Sequence, residues 1–345
     1  MPAVSTPHAA PDTVPVVDLS VIGQSRGTET AAALLDAACR DTGFFCIVGH
    51  GIDPALLARM DAAARQFFAL PEPTKSQIAM AAGGRAWRGW FPLGVEVTSG
   101  IPDGKEGIYF GEELGPDDAR VAAGLPLHGA NLFPPAVPEL RASVLAWIEA
   151  LTKLGHVLMS LIAQGLGLPA DAFRRDLTAD PTVLFRIFRY PDAAAADAAG
   201  LGIGEWGVAE HTDYGLLTML AQDDRGGLQV RGRNGWMDVA PIENSFVCNI
   251  GDMLERMTAG RYRSTPHRVR NTSGRDRLSF PFFFDPSWDA HVTPLPLAVE
   301  PGDSDGGYGG RDRWDGRSVF EFDGTYGEYL VAKVSKVFPD LAHVI

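Results

Sequence analysis

The stretch HTDYGLLTML, residues 211–220, sets a histidine and an aspartate two positions apart at the head of an apolar run. Side chains alternate along an extended chain, so His211 and Asp213 are expected on one face. Imidazole and carboxylate are metal-ligand types, but two ligands hold an ion weakly. The segment YRSTPHRV (262–269) offers a third, His267, 54 positions after Asp213 in another strand-like stretch. Two histidines and one carboxylate are the donor set of the facial triad that favours non-haem Fe(II), with three positions left open for reactants. A structural zinc site is normally closed by four ligands. Taken alone, the HxD pair is equally the pattern of a surface ion pair, so the triad needs support elsewhere in the chain.

Ten residues after His267, RLSFPFFFD (277–285) places Arg277 and Ser279 at alternate positions of an apolar run, where both can face inward beside the metal. A guanidinium presents a fork of donors matched to a carboxylate, and a neighbouring hydroxyl adds a directional bond. The competing reading pairs Arg277 with a structural acid such as Asp285 or Asp252. Phe280, Phe282, Phe283 and Phe284 suit a dry cavity, with at least two of the four expected in plain core packing. Cys248 and His156 read as packing residues.

These side chains need a scaffold. VPVVDLS (14–20) reads as a short strand and FFCIVGHGI (44–52) as a buried one. Helical periodicity marks 28–43, 53–70, 137–169 and 325–339, the first ending in a glycine cap and the second starting at Asp53-Pro54. Residues 83–116 change character every few positions and read as loop and short strand lining a pocket. From about residue 182 the period becomes two: TVLFRIFRYP, LTMLAQDD, GLQVRGRNGWMDVAP, SFVCNIGDMLERMT, STPHRVRNTS and RLSFPFFFDP are strand candidates divided by turns. Many short strands of this kind suggest a sandwich, barrel or jelly roll. Residues 1–14 read as a loose arm and 300–315 as a Gly/Asp-rich loop; no internal repeat is visible.

Composition narrows the function classes. The chain has 345 residues, 46% of them hydrophobic, which is ample for a buried core. A formal charge of −13 argues against nucleic acid or an anionic membrane as a partner. Three isolated cysteines fit neither a disulfide framework nor a zinc-finger spacing, and suggest a reducing cytoplasm. The start of the chain has no basic segment with an apolar core behind it, and no run of about 18 apolar residues points to a membrane span.

HTD (211–213), GGLQV (226–230), NIGDMLERMTAGRYRSTPHRV (249–269) and RLS (277–279), in that order, resemble the 2-oxoglutarate- and iron-dependent oxygenases of the isopenicillin N synthase-like superfamily. VPVVDLS, GFFCIVGHGI (43–52) and GEYL near the end extend the resemblance over roughly residues 14–340. It implies a mainly β fold with flanking α: a double-stranded β-helix (jelly roll) core with an N-terminal helical region and a C-terminal helix. The expected division is 1–175 for the N-terminal region, 176–300 for the catalytic core and 301–345 for the C-terminal loop and helix, forming one functional unit.

By resemblance, His211, Asp213 and His267 hold Fe(II), while Arg277, Ser279 and Tyr190 receive 2-oxoglutarate. O2 and a small-molecule substrate complete the reaction, which releases succinate and CO2. Plant members usually carry asparagine two residues before that tyrosine; here it is Phe188. This keeps open an oxidase of the isopenicillin N synthase type that does not use 2-oxoglutarate. Residues 85–114 occupy the stretch that lines the substrate pocket in relatives, giving Arg88, Trp90, Phe91 and Tyr109 as substrate candidates, with Phe283 and Trp288 beyond the triad. Lys105 and Glu106 are expected to be structural. The Ala/Gly/Arg/Asp content suggests a GC-rich bacterial genome and an enzyme of specialised metabolism.

Overall fold

A computed structural model describes residues 13–192, 206–298 and 318–337. The amino-terminal half contributes β1 (Val16–Asp18), α1 (Gly27–Asp41), β2 (Phe44–Val48), α2 (Pro54–Phe68), α3 (Glu72–Lys75) and β3 (Gly89–Phe91). The hairpin β4 (Val97–Thr98) and β5 (Ile101–Pro102) follows, then β6 (Glu106–Gly111), α4 (Ala119–Ala122), α5 (Glu139–Gly165) and α6 (Ala172–Asp176). The strand-rich half runs β7 (Pro181–Tyr190), β8 (Val208–His211), β9 (Leu217–Gln222), β10 (Leu228–Gly232), β11 (Gly235–Val239) and β12 (Phe246–Ile250). After α7 (Asp252–Met257) come β13 (His267–Val269), β14 (Arg277–Ser287) and α8 (Tyr326–Val337).

Local chemistry explains the helix ends. Gly43 turns left-handed at φ 66°, and its N–H and that of Thr42 both reach Ala38 O, closing α1 and launching β2. Asp53 accepts from Ala55 N at 2.9 Å with Pro54 behind it, starting α2. By length and composition α5 is apolar enough to cross a membrane; here it packs on α1, α2 and the strands β7, β9 and β14. Gly155 lets α5 approach the Phe284 ring, which a Cβ would meet at 2.4 Å.

Two open sheets form the jelly-roll core. The larger has the order β1-β2-β12-β9-β14-β7-β6-β3, the smaller β11-β10-β13-β8. The amino-terminal strands extend both edges of the larger sheet, so they share its hydrogen-bond ladder with the core strands. β14 alternates between two environments: Phe280, Phe282 and Phe284 are buried in the core, while Arg277, Ser279 and Phe283 face a cavity between the sheets. Tyr326, Leu330 and Val334 of α8 form part of its wall.

SFVCNIGDMLERMT is not one strand: the chain leaves β12 at Ile250 and enters α7 at Asp252. The loop expected at 300–315 and most of the amino-terminal arm lie outside the described residues.

Candidate metal centre and its cavity

His211 ends β8 and His267 begins β13, and the two are direct cross-strand partners. Asp213 lies beyond the end of β8, so it meets His211 through the turn into β9 and not through strand alternation. One ligand atom from each of the three lies within 4.8 Å of the others. Asp213 Oδ1 is 3.8 Å from His211 Nε2 and 3.7 Å from His267 Nε2. The three donors are thus gathered around one point, where they would hold a divalent ion.

The surroundings prepare each ligand. His211 Nδ1 donates to Ala209 O at 2.8 Å and His267 Nδ1 to Thr265 O at 3.3 Å, which leaves both Nε2 lone pairs for an ion. Asp213 Oδ2 accepts from Asn249 Nδ2 at 2.7 Å and from Thr218 Oγ1, leaving Oδ1 toward the histidines. Burial lowers the His211 imidazole; burial and then the neighbouring His211 push His267 down to about 4. Burial alone would raise the Asp213 carboxyl, but the two histidines and the bonds from Asn249 and Thr218 hold it below its ordinary range. Two neutral imidazoles and one carboxylate are the protonation states a metal requires.

Arg277 is fully buried on the cavity wall. Its Nε donates to Gly226 O at 2.6 Å and its Nη2 to Gln222 Oε1 at 3.1 Å, while Nη1 has no hydrogen-bond partner among the described residues. It pairs with neither Asp285, which accepts from Leu216 N and Tyr326, nor Asp252, which accepts from Ser264 and Tyr329. The GGLQV segment thereby acquires a role. Gly226 supplies the bracing carbonyl, and a Cβ on Gly227 would strike Arg270 O at 2.0 Å. Tyr190 lies opposite Arg277 across the β7–β14 ladder, its ring 4.8 Å from the guanidinium, and Ser279 Oγ is 3.4 Å from its hydroxyl. A buried orphan N–H beside two hydroxyls is a cradle for a carboxylate.

Of the substrate candidates, Tyr109 and Phe283 line the cavity. The other four do not, and each has a physical reason. Arg88 spends its guanidinium on Ala86 O at 2.9 Å and Leu127 O at 2.7 Å. Trp90 donates to Glu106 at 2.9 Å inside a buried knot with Lys75 and Arg189. Phe91 is a buried ring behind the wall, packed edge-on against Tyr109 and Phe188. Trp288 meets His128 edge to face and lines a separate crevice that also holds Arg88.

Lys105, read as structural, also faces the cavity. It is bound to Glu96 at 2.9 Å and to Asp103, and these two acids outweigh the effect of burial to keep its ammonium above its ordinary value. Arg186 lines the cavity as well. Sequence reading missed it, although the period-two signal of FRIFRY places it on the same face as Tyr190. Thr218 and Asn249 were also missed; Asn249 sits inside a motif whose resemblance had been noted.

An open three-ligand site between jelly-roll sheets, with a buried arginine beside it, defines a class: the mononuclear non-haem iron oxygenases. Residues 14–136 match the family described as non-haem dioxygenase in morphine synthesis N-terminal, and residues 181–286 match the 2OG-Fe(II) oxygenase superfamily. A Dictyostelium discoideum protein named probable iron/ascorbate oxidoreductase is 45% identical over 95% of both chains. A 1-aminocyclopropane-1-carboxylate oxidase of Dictyostelium mucoroides is 35% identical over 96% of both. A 2-oxoglutarate-dependent dioxygenase of Monascus ruber is 37% identical over 82% of this chain and 87% of its own. The crystal structure of a 2OG-Fe(II) oxygenase family protein from Caulobacter crescentus superposes with a TM-score of 0.74, at 28% identity over 94% of this chain and 99% of that one. The chain belongs to the 2OG-Fe(II) oxygenase superfamily; it is a 2-oxoglutarate-dependent dioxygenase that uses Fe(II) and O2.

Proposed function

We propose that this dioxygenase hydroxylates or desaturates a C–H position of a small organic metabolite. His211, Asp213 and His267 hold the iron, and Arg277, Ser279 and Tyr190 hold the distal carboxylate of 2-oxoglutarate. When bound, the iron couples O2 to the oxidation of 2-oxoglutarate to succinate and CO2, and a substrate C–H bond receives the second oxidising step. For hydroxylation, substrate, O2 and 2-oxoglutarate give hydroxylated substrate, succinate and CO2. The protein's own tasks are to orient and to exclude water. Arg277 and Tyr190 fix the co-substrate at one end of the cavity, and Phe283, Leu330 and Val334 keep bulk water from the reacting face.

The buried, unpartnered Nη1 of Arg277 carries this reading. A fully desolvated donor is costly without an acceptor, and a bound carboxylate supplies one. Aerobic incubation with Fe(II), 2-oxoglutarate and a metabolite panel tests it: succinate release stimulated by one panel member is expected. Oxygen uptake without succinate would give the oxidase reading instead. The relative named for 1-aminocyclopropane-1-carboxylate supports including small acids in that panel. We further propose a cytoplasmic location and a role in specialised metabolism; the three buried, free cysteines support the first.

A further inference from the structure

Arg186 sits in β7 and lines the cavity with Leu184, Phe188 and Tyr190, its same-face neighbours along the strand. Only 8% of the residue is exposed. Its guanidinium carbon lies 3.4 Å over the Tyr109 ring and 5.5 Å from the Phe283 ring. A guanidinium stacked this way has its faces covered by aromatics and its N–H edge left to bond in plane. Among the described residues that edge is only weakly engaged. Its Nη1 donates to the adjacent Phe185 O at a long 3.5 Å, the Tyr109 hydroxyl and the Asp285 carboxyl feel its charge, and it forms no ion pair among the described residues.

Other buried arginines here are satisfied differently. Arg88 reaches two carbonyls, Arg189 reaches Glu106 and Asp276, and Arg277 reaches a carbonyl and an amide. The acids around the cavity are also engaged: Glu96 with Lys105 and Tyr109, Asp285 with Leu216 N and Tyr326. A buried cation without a paired anion is costly, so a ligand that brings the anion gains from it.

We propose that Arg186 is the anion subsite for the primary substrate, and that this substrate is a small organic carboxylate with an apolar body. A planar two-oxygen acceptor matches the in-plane edge of one stacked guanidinium. A phosphate would call for further cations, and Lys105 is held by Glu96 and Asp103. The apolar body fits the remaining wall of Leu184, Phe283, Leu330 and Val334. Arg186 and Tyr190 are four residues apart on one strand, about 13 Å, so this subsite is distinct from the Arg277 cradle. Sequence analysis offered Arg88 as a substrate contact; the arginine that lines the cavity is Arg186.

This inference rests on reading the cavity as the oxygenase site, and its test separates the two. Saturation-transfer NMR under argon would measure binding of butanoate, octanoate, decanoate and phenylacetate, each against its own primary amide, with and without 2-oxoglutarate. At least one acid should bind the wild-type protein about tenfold or more tightly than its amide. Arg186→Met should abolish that preference and Arg186→Lys restore part of it, with 2-oxoglutarate affinity unchanged within about twofold. The proposal is overturned if no acid outbinds its amide in the wild type, or if the preference survives in Arg186→Met. Should the methionine variant fail to fold, a fully retained preference in Arg186→Lys overturns it equally. Failure of the wild type to bind 2-oxoglutarate would refute the Arg277 reading while the acid–amide comparison still judges Arg186.

Discussion

Asp213 offers one oxygen to the histidines because the other is held twice, by Asn249 of β12 and Thr218 of β9, which are cross-strand partners. Asn249→Leu keeps the volume of the side chain and removes its donor. The bond lost is charge-assisted and buried, worth about 1.5–3 kcal/mol. Part of that loss falls on metal binding, since a carboxylate held at one point is less well aimed. Removing an outer partner of this kind costs about 10–100-fold in metal affinity. Thr218→Val attacks the same oxygen, so the double variant should depart from additivity by more than about 0.5 kcal/mol. Anaerobic competition titration of Fe(II) against a chelator, with circular dichroism as the control for folding, measures all three variants. Unchanged Fe(II) affinity in a folded Asn249→Leu protein would refute the idea that this bond prepares the ligand.

Arg277→Lys keeps the charge but loses the fork braced by Gly226 and Gln222; 2-oxoglutarate affinity should fall about tenfold or more, and unchanged affinity would mean the carboxylate is held elsewhere. Lys105→Met leaves Asp103 and Glu96 buried without their cation, which should cost about 3–5 kcal/mol in urea unfolding; an unaltered midpoint would contradict the pairing. Burial raises the Asp285 carboxyl to about 7, with Asp213 adding to the effect and Tyr326, Leu216 N and Arg186 opposing it. An unfolded aspartic acid titrates near 3.9, so between about pH 4 and 7 the folded state keeps a proton that the unfolded state has lost. This group's stability contribution is therefore full below that window and is lost as pH rises through it. Urea midpoints of the metal-free protein should show a smaller fall from pH 5 to 7 in Asp285→Asn than in the wild type, and parallel falls would remove Asp285 as a source.

The iron triad was legible because its chemistry is compressed into short motifs: HTD, the His267 segment and RLS each carry their ligands within three residues or fewer. The helix starts and stops were legible for a similar reason, since Asp53-Pro54 and Gly43 act locally. What failed needed tertiary information. His211 and Asp213 share no strand; a turn unites them. Arg88 and Trp90 sit in a segment rich in pocket-type residues, yet their polar atoms are consumed by Leu127 O and Glu106, partners 39 and 16 positions away. Arg186 carried a readable alternation signal, but only the tertiary structure shows that it stacks between Tyr109 and Phe283 and forms no ion pair among the described residues.

The most direct test of the central claim is anaerobic titration of the Fe(II)-loaded protein with 2-oxoglutarate, followed by visible spectroscopy. A weak charge-transfer band should develop in the wild type and be absent in Asp213→Ala and His267→Ala. A fully iron-loaded wild-type protein that shows no band, or a band that persists in either variant, would contradict the assignment of His211, Asp213 and His267 as the centre that brings iron and 2-oxoglutarate together.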